Sequence, residues 1–441
     1  MISSSPKQTN EFHAEPQPAE GRPLAVAAIL TIGFLAALCA VLALDVGRSS
    51  RGAADQNDWH LPVIRAFVAQ WPHPDLSDYR SSTTPGYHLF VAWIGRLTST
   101  DTRSLRIIGS LFTAGLLITM GLYTGRRIET VSALALCLPI VCSIYVFSSG
   151  VFLLPDNAGW WGVAAAMLIA LRPKVDVWTY LLGGIVLLAT VLMRQIHLWI
   201  AAPLLVSAIF GAARERDSQR AISRGAMMSL AILPAILVLL WFRHLWHGHL
   251  VPPNQISYTS GGNLAAPAMV LAVMGFLGLF YCGFLVGGGL KWRATIMGAL
   301  IGAVVGIIPN TTYDTSARRF SGLWNAAKAL HDAGHVPYIL NRSILMIALA
   351  ALGGAVIAAW LAALPVRERW IWAAAVIAFI AASAAAANPW QRYYEPFVLI
   401  AAAISIPSII GQSRDKVPVW ARIGPLLLAL VCAVVTMHGL T

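Results

Sequence analysis

The chain of 441 residues has a membrane composition: 58% of its residues are hydrophobic, 11% are charged and its mean hydropathy is +0.69. A soluble domain carries about a quarter charged residues, so this composition excludes a soluble enzyme as well as a disordered or disulfide-rich secreted chain. The formal net charge of +12 does not indicate nucleic-acid binding, because the basic residues cluster in short loops between apolar runs.

The chain begins with a polar segment and continues as a series of apolar runs. Residues 1–22 are rich in Pro, Gln and Glu, which predicts a disordered cytoplasmic tail before a single polytopic domain over 23–441. A membrane-crossing helix needs about 20 apolar residues, so we expect an all-α integral membrane bundle of about 13 transmembrane helices. The apolar runs are 24–45, 105–124, 131–150, 158–171, 177–193, 198–213, 225–242, 264–289, 294–309, 338–363, 370–387, 395–410 and 418–438.

The basic residues predict the orientation of these spans. With the N-terminus in the cytoplasm, every short inner loop carries at least two basic residues, as the positive-inside rule requires. We therefore expect the functional site on the non-cytoplasmic face, and the Ala-rich spans favour a bacterial inner membrane. The long polar segments that fall on this outer face are 46–104, 150–157, 244–262, 310–337 and 388–394.

The first outer loop, 46–104, is the densest polar segment of the chain. Two apolar stripes at helical spacing run through it, which indicates short amphipathic helices lying in the membrane interface. An ordinary extracellular helical hairpin is the alternative. The stripes are Val63, Ile64, Phe67, Val68 and Trp71, then Tyr87, Phe90, Val91, Ile94 and Leu97.

Two aspartates of this loop follow the first span closely. Asp55 and Asp58 lie near the apolar boundary, where partial desolvation raises the basicity of a carboxylate. Each is therefore a candidate general base, and a solvated loop aspartate is the alternative for each.

Five sequence blocks resemble one enzyme family in the order in which they occur. Together they resemble the dolichyl-phosphate-glucose α-1,2-glucosyltransferases, whose first luminal loop carries an Asp-Glu-x-x-His-x-Pro element. The spacing differs in one respect, because Gln56 follows Asp55 and Asp55 stands one residue further from His60 than in the family. The blocks are DQNDWHLP (55–62), SDYRSSTTPGYH (77–88), LLPDNAGW (153–160), MRQIHLW (193–199) and QRYYEPF (391–397).

The resemblance implies a glycosyltransferase C fold and a hexose transfer from a polyprenyl-phosphate donor with inversion. It implies a base at Asp55 or Asp58 and an acidic residue at Asp156 that assists the base or orients the acceptor. The substrate-binding positions that follow from the matched blocks are His60, Asp78, Thr83, Arg194, Gln195, His197, Arg392 and Tyr393. Arginines suit the donor phosphate, because a guanidinium binds phosphate oxygens in pairs.

The expected partners are the lipid-linked sugar donor, a saccharide or lipid-linked acceptor and membrane lipid. No cofactor is expected, although the spacing of His244, His247 and His249 leaves a divalent metal open. A transporter or flippase of lipid-linked saccharides is the competing function, and an enzyme that uses diphosphate-linked lipids is a third. The nearly charge-free spans favour chemistry at the interface over transport, which usually places ionisable residues within the spans.

Overall fold

The computed structural model describes residues 22–214, 216–259, 261–286, 291–411 and 418–440. The tail predicted over 1–22 lies outside the described residues except for Arg22. The described chain is mostly helical, which satisfies the backbone hydrogen bonds that a bilayer leaves without water.

Twenty α-helices occur in the described ranges, and they account for the apolar runs of the sequence. In chain order they are α1 Pro23–Leu44, α2 Arg51–Asp55, α3 Leu61–Gln70, α4 Gly86–Leu97, α5 Thr102–Arg127, α6 Thr130–Cys142, α7 Ile144–Val151, α8 Asp156–Ala170, α9 Val177–Met193, α10 Ala201–Arg214, α11 Ser218–Leu245, α12 Ile256–Thr259, α13 Ala266–Gly278, α14 Cys282–Val286, α15 Trp292–Ile307, α16 Leu323–Asp332, α17 Ile344–Ala363, α18 Val366–Ala384, α19 Glu395–Ile410 and α20 Ile423–Leu440.

Short 3₁₀ or π-helical segments join several of these helices. The 3₁₀ segments are Gln195–Ile200, Pro253–Gln255, Leu279–Tyr281, Gln391–Tyr393 and Val419–Arg422, and Gln56–His60 is a π-helical turn.

A small hairpin interrupts the otherwise helical chain. Strands β1 (Tyr338–Ile339) and β2 (Arg342–Ser343) pair antiparallel, with Ile339 opposite Arg342. The two residues between them have positive φ angles, as a tight hairpin turn requires. The apolar run predicted from residue 338 therefore begins as a hairpin, and its helix, α17, starts only at residue 344.

Among the residues that the structure describes, eight helices are long and apolar enough to cross a membrane, or nine if the bent pair α6–α7 counts as one span. This makes the chain a multi-pass membrane protein, and the expected 13 spans are not confirmed. Helices α8, α9 and α15 have only 15 to 17 residues. Helix α18 is longer, but its first turn carries three charged residues, 367–369.

The bend between α6 and α7 has a local cause. The two helices meet at 65° across Ser143, and Pro139 lies in the last turn of α6. Ser143 has a ψ angle of 126°, outside the helical region, so α6 ends there. The Ser143 hydroxyl donates a hydrogen bond to Glu395 Oε1 at 2.6 Å, which fixes α7 against the start of α19.

The interior of the bundle is formed by α5, α13 and α19. In the most apolar window of α19, 83% of the residues are buried, against 28% in α11 and in α17. Helices α11 and α17 therefore lie at the periphery, and the exposed leucines and isoleucines of α11 suit contact with lipid.

The two ends of the bundle differ in chemistry. At one end, arginines of the predicted inner loops bind the ends of helices: Arg367 donates to the Ala170 carbonyl at 3.0 Å and to Ser207 Oγ at 2.9 Å. At the other end, the five predicted outer segments contact one another. The membrane face to which each end belongs stays a prediction.

The amphipathic segments of the first outer loop form the predicted helices, α3 and α4. Their apolar stripes pack together as a hairpin, with Val63, Ile64, Phe67 and Val91 buried in a core closed by Trp246, the residue after α11. Protein packing thus accounts for most of the apolar side chains, and a position of these helices in the membrane interface stays a prediction.

Candidate active site

A polar chamber of about 350 Å³ lies where the outer segments converge. Its walls come from every one of the long polar segments and from the turn after α9. The lining residues are Asp55, Trp59, His60, Ser81, Ser82, Thr83, Pro155, Asp156, Arg194, Gln255, Tyr258, Thr259, Arg318, Phe320, Asn388, Trp390, Arg392 and Tyr393.

The first ion pair of the chamber joins two residues that are far apart in the sequence. Asp55, the last residue of α2, pairs with Arg392 of the 3₁₀ segment before α19. Arg392 also donates from Nη2 to the Tyr393 hydroxyl at 2.8 Å, and its guanidinium lies 4.9 Å from the centre of the Trp390 ring. The Asp55 side chain keeps 21% of its exposure, so its carboxylate remains accessible from the chamber.

The second ion pair is more deeply buried. Asp156 pairs with Arg194, and their side chains are 11% and 12% exposed. Asp156 is the first residue of α8, where the helix dipole favours a carboxylate. Its carboxylate is thus held by the ion pair with Arg194 at the start of the helix.

A third arginine lines the chamber without a carboxylate partner among the described residues. Arg318 donates from Nη2 to the Ser257 carbonyl at 3.0 Å, and its Nη1 is buried with no hydrogen-bond partner. Since two of the three arginines are matched by Asp55 and Asp156, the chamber carries one uncompensated positive charge. The chamber therefore favours a ligand with a single negative charge.

The π-helical turn explains how Asp55 and His60 reach the same chamber. The Leu61 N–H donates to the Gln56 carbonyl five residues earlier, so the turn holds one more residue than an α-helical turn. Residues four apart share one face of an α-helix, whereas in this wider turn residues five apart do. The wider turn therefore keeps Asp55 and His60 on the same face, although one more residue separates them.

A second histidine fixes His60 from behind. His60 Nδ1 lies 2.9 Å from His88 Nε2, and the rings stack with centroids 5.2 Å apart. Burial lowers the pKa of His88 to about 3. The pKa of His60 is held well below 6.5, first by burial and then by the proximity of His88 and two arginines. Both rings are therefore neutral at neutral pH.

The orphaned nitrogen of this pair indicates the tautomer. His88 Nδ1 is buried with no hydrogen-bond partner, and a buried N–H without an acceptor is rarer than a buried acceptor without a donor. His88 therefore donates from Nε2, which leaves the His60 proton on Nε2. His60 can in this way offer the chamber a neutral hydrogen-bond donor.

The segment before α4 is held against the end of α9. Gln195 uses both ends of its amide there: Oε1 accepts from the Thr84 N–H at 2.9 Å, and Nε2 donates to the Ser82 and Leu250 carbonyls. A Cβ on Gly86 would meet the carbonyl oxygen of Leu192 at 2.6 Å, so only glycine permits this close approach. Gln195 thus positions the chamber wall and has no amide atom left for a substrate.

Four predicted site residues do not line the chamber: Asp58, Asp78, Gln195 and His197. Asp58 and Asp78 are exposed, and Asp78 accepts a hydrogen bond from the Asn254 N–H at 3.1 Å. His197 is 2% exposed, and its ring packs against Trp160 with centroids 4.8 Å apart. The structure brings the other predicted residues together: Asp55, His60, Thr83, Asp156, Arg194, Arg392 and Tyr393 line the chamber, and Gln195 lies beside it.

An apolar groove of about 710 Å³ adjoins the chamber. The two cavities share Arg194 and Tyr393, together with hydroxyl-bearing residues between them. Away from the chamber, the groove is lined by half-buried or exposed small and apolar residues, which are Leu198, Ala201, Ala202 and Leu205 on one side and Ala378, Ala381, Ala382, Ala385 and Ala386 on the other. An extended apolar chain fits such a groove.

Some chamber residues carried a different interpretation in the sequence. Arg318 lies in the segment 310–337, which the sequence favours as a solvated amphipathic helix and, as an alternative, a lid on the acceptor side. Trp390 is typical of an aromatic-belt anchor, yet it lines the chamber with its ring centre 4.9 Å from the Arg392 guanidinium. The unpaired state of Arg318 depends on contacts between distant segments, and no sequence signal reports it.

The histidine cluster has no metal-binding geometry in the part of the chain that the structure describes. No three or more His, Cys, Asp or Glu side chains lie together there in a way that could hold a metal ion. His244, His247 and His249 are all exposed.

Comparisons with known proteins give one weak structural likeness. No family model matches the chain, and no curated protein sequence matches it. A solved structure of the archaeal oligosaccharyltransferase AglB from Archaeoglobus fulgidus, in complex with an inhibitory peptide and a dolichol-phosphate, is similar with a TM-score of 0.40 and 14% identity. The similarity covers 95% of this chain and 55% of that one, so the chain spans about half of that protein's length. It is too weak to assign a fold or a function.

Proposed function

We propose that the protein is a membrane glycosyltransferase that moves a hexose from a polyprenyl-phosphate donor to an acceptor hydroxyl, with inversion at the anomeric carbon. One observation carries the proposal: a chamber with an accessible aspartate and an unpaired arginine opens into an apolar groove between helices. Such a site offers separate places for the charged, the sugar and the lipid parts of one donor molecule.

The charge of the chamber suits a monophosphate donor. A sugar joined to a lipid through one phosphate is a phosphodiester with one negative charge, which matches the one uncompensated arginine. A diphosphate-linked donor would bring two negative charges into the same space. Arg318 provides the free guanidinium, and Arg194 and Arg392 lie on the same wall to share the charge that develops on the leaving phosphate.

The apolar groove suits the lipid. Its alanine side along α18 leaves room for a methyl-branched chain, and its mouth meets the chamber at Arg194 and Tyr393. A lipid lying in the groove places its phosphate at the arginines without burying that charge in the bilayer.

Asp55 is the base in this proposal. As the acceptor oxygen bonds to the anomeric carbon, its proton passes to the Asp55 carboxylate. The bond from the anomeric carbon to the phosphate oxygen breaks, and the lipid phosphate leaves with the electron pair as a monoester. A single displacement of this kind inverts the anomeric centre, by analogy with inverting glycoside chemistry.

Two aspartates of the first outer loop supply the experiment and its control. Purified protein is incubated with polyprenyl-phosphate glucose, mannose or arabinose, together with methyl glycosides and a total lipid extract as sources of acceptor hydroxyls, and consumption of the donor is measured for wild type, Asp55→Asn and Asp58→Asn. We expect Asp55→Asn to slow transfer about 10²- to 10⁴-fold. Asp58 is exposed and lies outside the chamber lining, so Asp58→Asn should retain wild-type transfer.

Two outcomes contradict the proposal. If wild type consumes none of the three donors, the protein is not this glycosyltransferase, and movement of a donor across the bilayer without its consumption would indicate the flippase alternative. If Asp55→Asn retains full transfer, the assignment of the base is wrong.

A further inference from the structure

A second polar chamber adjoins the first on the far side of Asp55. It has a volume of about 360 Å³ and shares Asp55, Asp156, Trp390 and Arg392 with the first chamber. Its other walls come from elements that the apolar groove does not touch: α2, α7, the start of α16 and the end of α20. The paired aspartates thus form a partition with a cavity on each side.

The polar groups of the second chamber are free to bind a ligand. Among the described residues, no hydrogen-bond partner exists for Ser148 Oγ, the Tyr145 hydroxyl, Ser321 Oγ or Asn325 Nδ2, and all four residues line this chamber. The first chamber differs, because ion pairs and loop contacts occupy most of its polar groups. Three free hydroxyls and an amide donor together provide hydrogen-bond donors and acceptors, so they suit a ligand that carries hydroxyl groups.

An aromatic and a cationic group complete the wall. The Arg51 guanidinium lies 5.5 Å from the centre of the Trp390 ring and 5.6 Å from that of Phe320. The lining holds two arginines, Arg51 and Arg392, against the two aspartates that it shares with the first chamber, so its formal charges balance. Hydroxyl-rich, uncharged ligands with apolar C–H faces fit this mixture of hydroxyls, amide and aromatic surface.

We infer that the second chamber is the acceptor site, and that the acceptor is a saccharide. The inference rests on the function proposed above. The saccharide hydroxyl reaches Asp55 from the second chamber while the donor sugar and its phosphate occupy the first. The proton of that hydroxyl passes to Asp55, the new bond forms between its oxygen and the anomeric carbon, and the phosphate departs on the groove side with its electron pair.

Two positions in the second chamber separate acceptor binding from donor binding. Asn325→Ala removes the free Nδ2 donor at an exposed position, together with the hydrogen bond that Oδ1 accepts from the Ser321 N–H at 3.1 Å, and Ser148→Leu fills part of the chamber. The matched control is Asn310→Ala, which makes the same change at an exposed residue of the same outer segment, outside both chambers.

The experiment uses methyl glycosides of glucose, mannose, galactose and arabinose as acceptors, with the polyprenyl-phosphate sugar that wild type consumes. Transfer kinetics and the Kd of the donor are measured for each variant. We expect both chamber variants to raise the acceptor KM about 10-fold or more, in line with a lost hydrogen bond of about 1.5 kcal/mol. The donor Kd should stay within about twofold of wild type, and Asn310→Ala should match wild type in both constants.

The outcomes distinguish this inference from the function on which it rests. If wild type transfers sugar but both chamber variants keep its acceptor KM, the acceptor lies elsewhere and the inference is wrong, while the glycosyltransferase stands. A loss of donor binding in Asn325→Ala would place the donor in the second chamber and would also overturn the inference. If wild type consumes donor but none of the four glycosides accepts sugar or raises the melting temperature, the second chamber does not bind saccharides.

Discussion

The buried pair of Asp156 and Arg194 should dominate the stability of the chamber. Both side chains are removed from water by almost nine-tenths. In Asp156→Asn, the Arg194 charge stays in this site without its partner, and breaking a buried pair in this way costs about 3–5 kcal/mol. For a chain of this length we expect roughly 1–2 °C per kcal/mol, and hence a fall in melting temperature of about 3–10 °C.

The double variant Asp156→Leu with Arg194→Met tests the reason for that loss. Replacing both charges by apolar groups of similar size is often neutral or stabilising, so the melting temperature should return to within about 2 °C of wild type. The control is Asp332→Asn, which removes the carboxylate of an exposed pair with Lys328 and should leave the melting temperature unchanged.

Thermal unfolding of the purified protein in one detergent gives all of these temperatures. The reasoning is refuted if Asp156→Asn melts within 1 °C of wild type, because the pair would then be solvated. It is also refuted if the double variant is as unstable as the single one, because the loss would come from a cavity or from helix α8 and not from an unpaired charge.

Three further predictions concern other parts of the site. Arg318→Gln should weaken donor binding about 10- to 100-fold at unchanged melting temperature, because it removes a charge-assisted hydrogen bond of about 1.5–3 kcal/mol; titration with the lipid-linked donor measures this. Gly86→Ala should cost about 1–3 kcal/mol by overpacking the backbone of α9, whereas Gly33→Ala, with nothing within 4 Å of the added methyl, should not change the melting temperature. Because burial lowers the pKa of His60 and of His88, the unfolded chain binds protons first as the pH falls. Stability should therefore decline below pH 6.5, by up to about 1.4 kcal/mol per pH unit for each histidine, and His88→Asn should flatten that decline in melting curves between pH 4 and 7.

Much of the site was predictable from the alternation of apolar and polar segments. Asp55, Asp156, Arg194 and Arg392 lie in separate polar segments that a helical bundle brings to the same end, and the structure places all four in one chamber. The pairing of each aspartate with its arginine was not predictable, because Asp55 and Arg392 are 337 positions apart and only tertiary packing joins them.

The sequence was less informative where one residue type suits two environments. The histidine of the block around 193–199 has the polarity of a ligand-binding residue, yet His197 packs behind Trp160 because the 3₁₀ turn directs it into the bundle. Gln195 is polar for a structural reason, since it supports the first outer loop. The number of spans was also uncertain, because helices such as α15 are apolar but shorter than a bilayer requires.

The π-helical turn at Gln56–His60 has a consequence for detecting relatives of this protein. A search pattern that fixes the number of residues between the aspartate and the histidine rejects a chain with one more residue between them. A wider helical turn nevertheless restores the spatial arrangement of the two side chains. Distant homologues of such loops are better recognised when the pattern permits an insertion wherever a helix can widen to contain it. Deleting Asn57 would shorten the gap to the ordinary length, and an active deletion variant would show that evolution can gain or lose this position without moving either side chain.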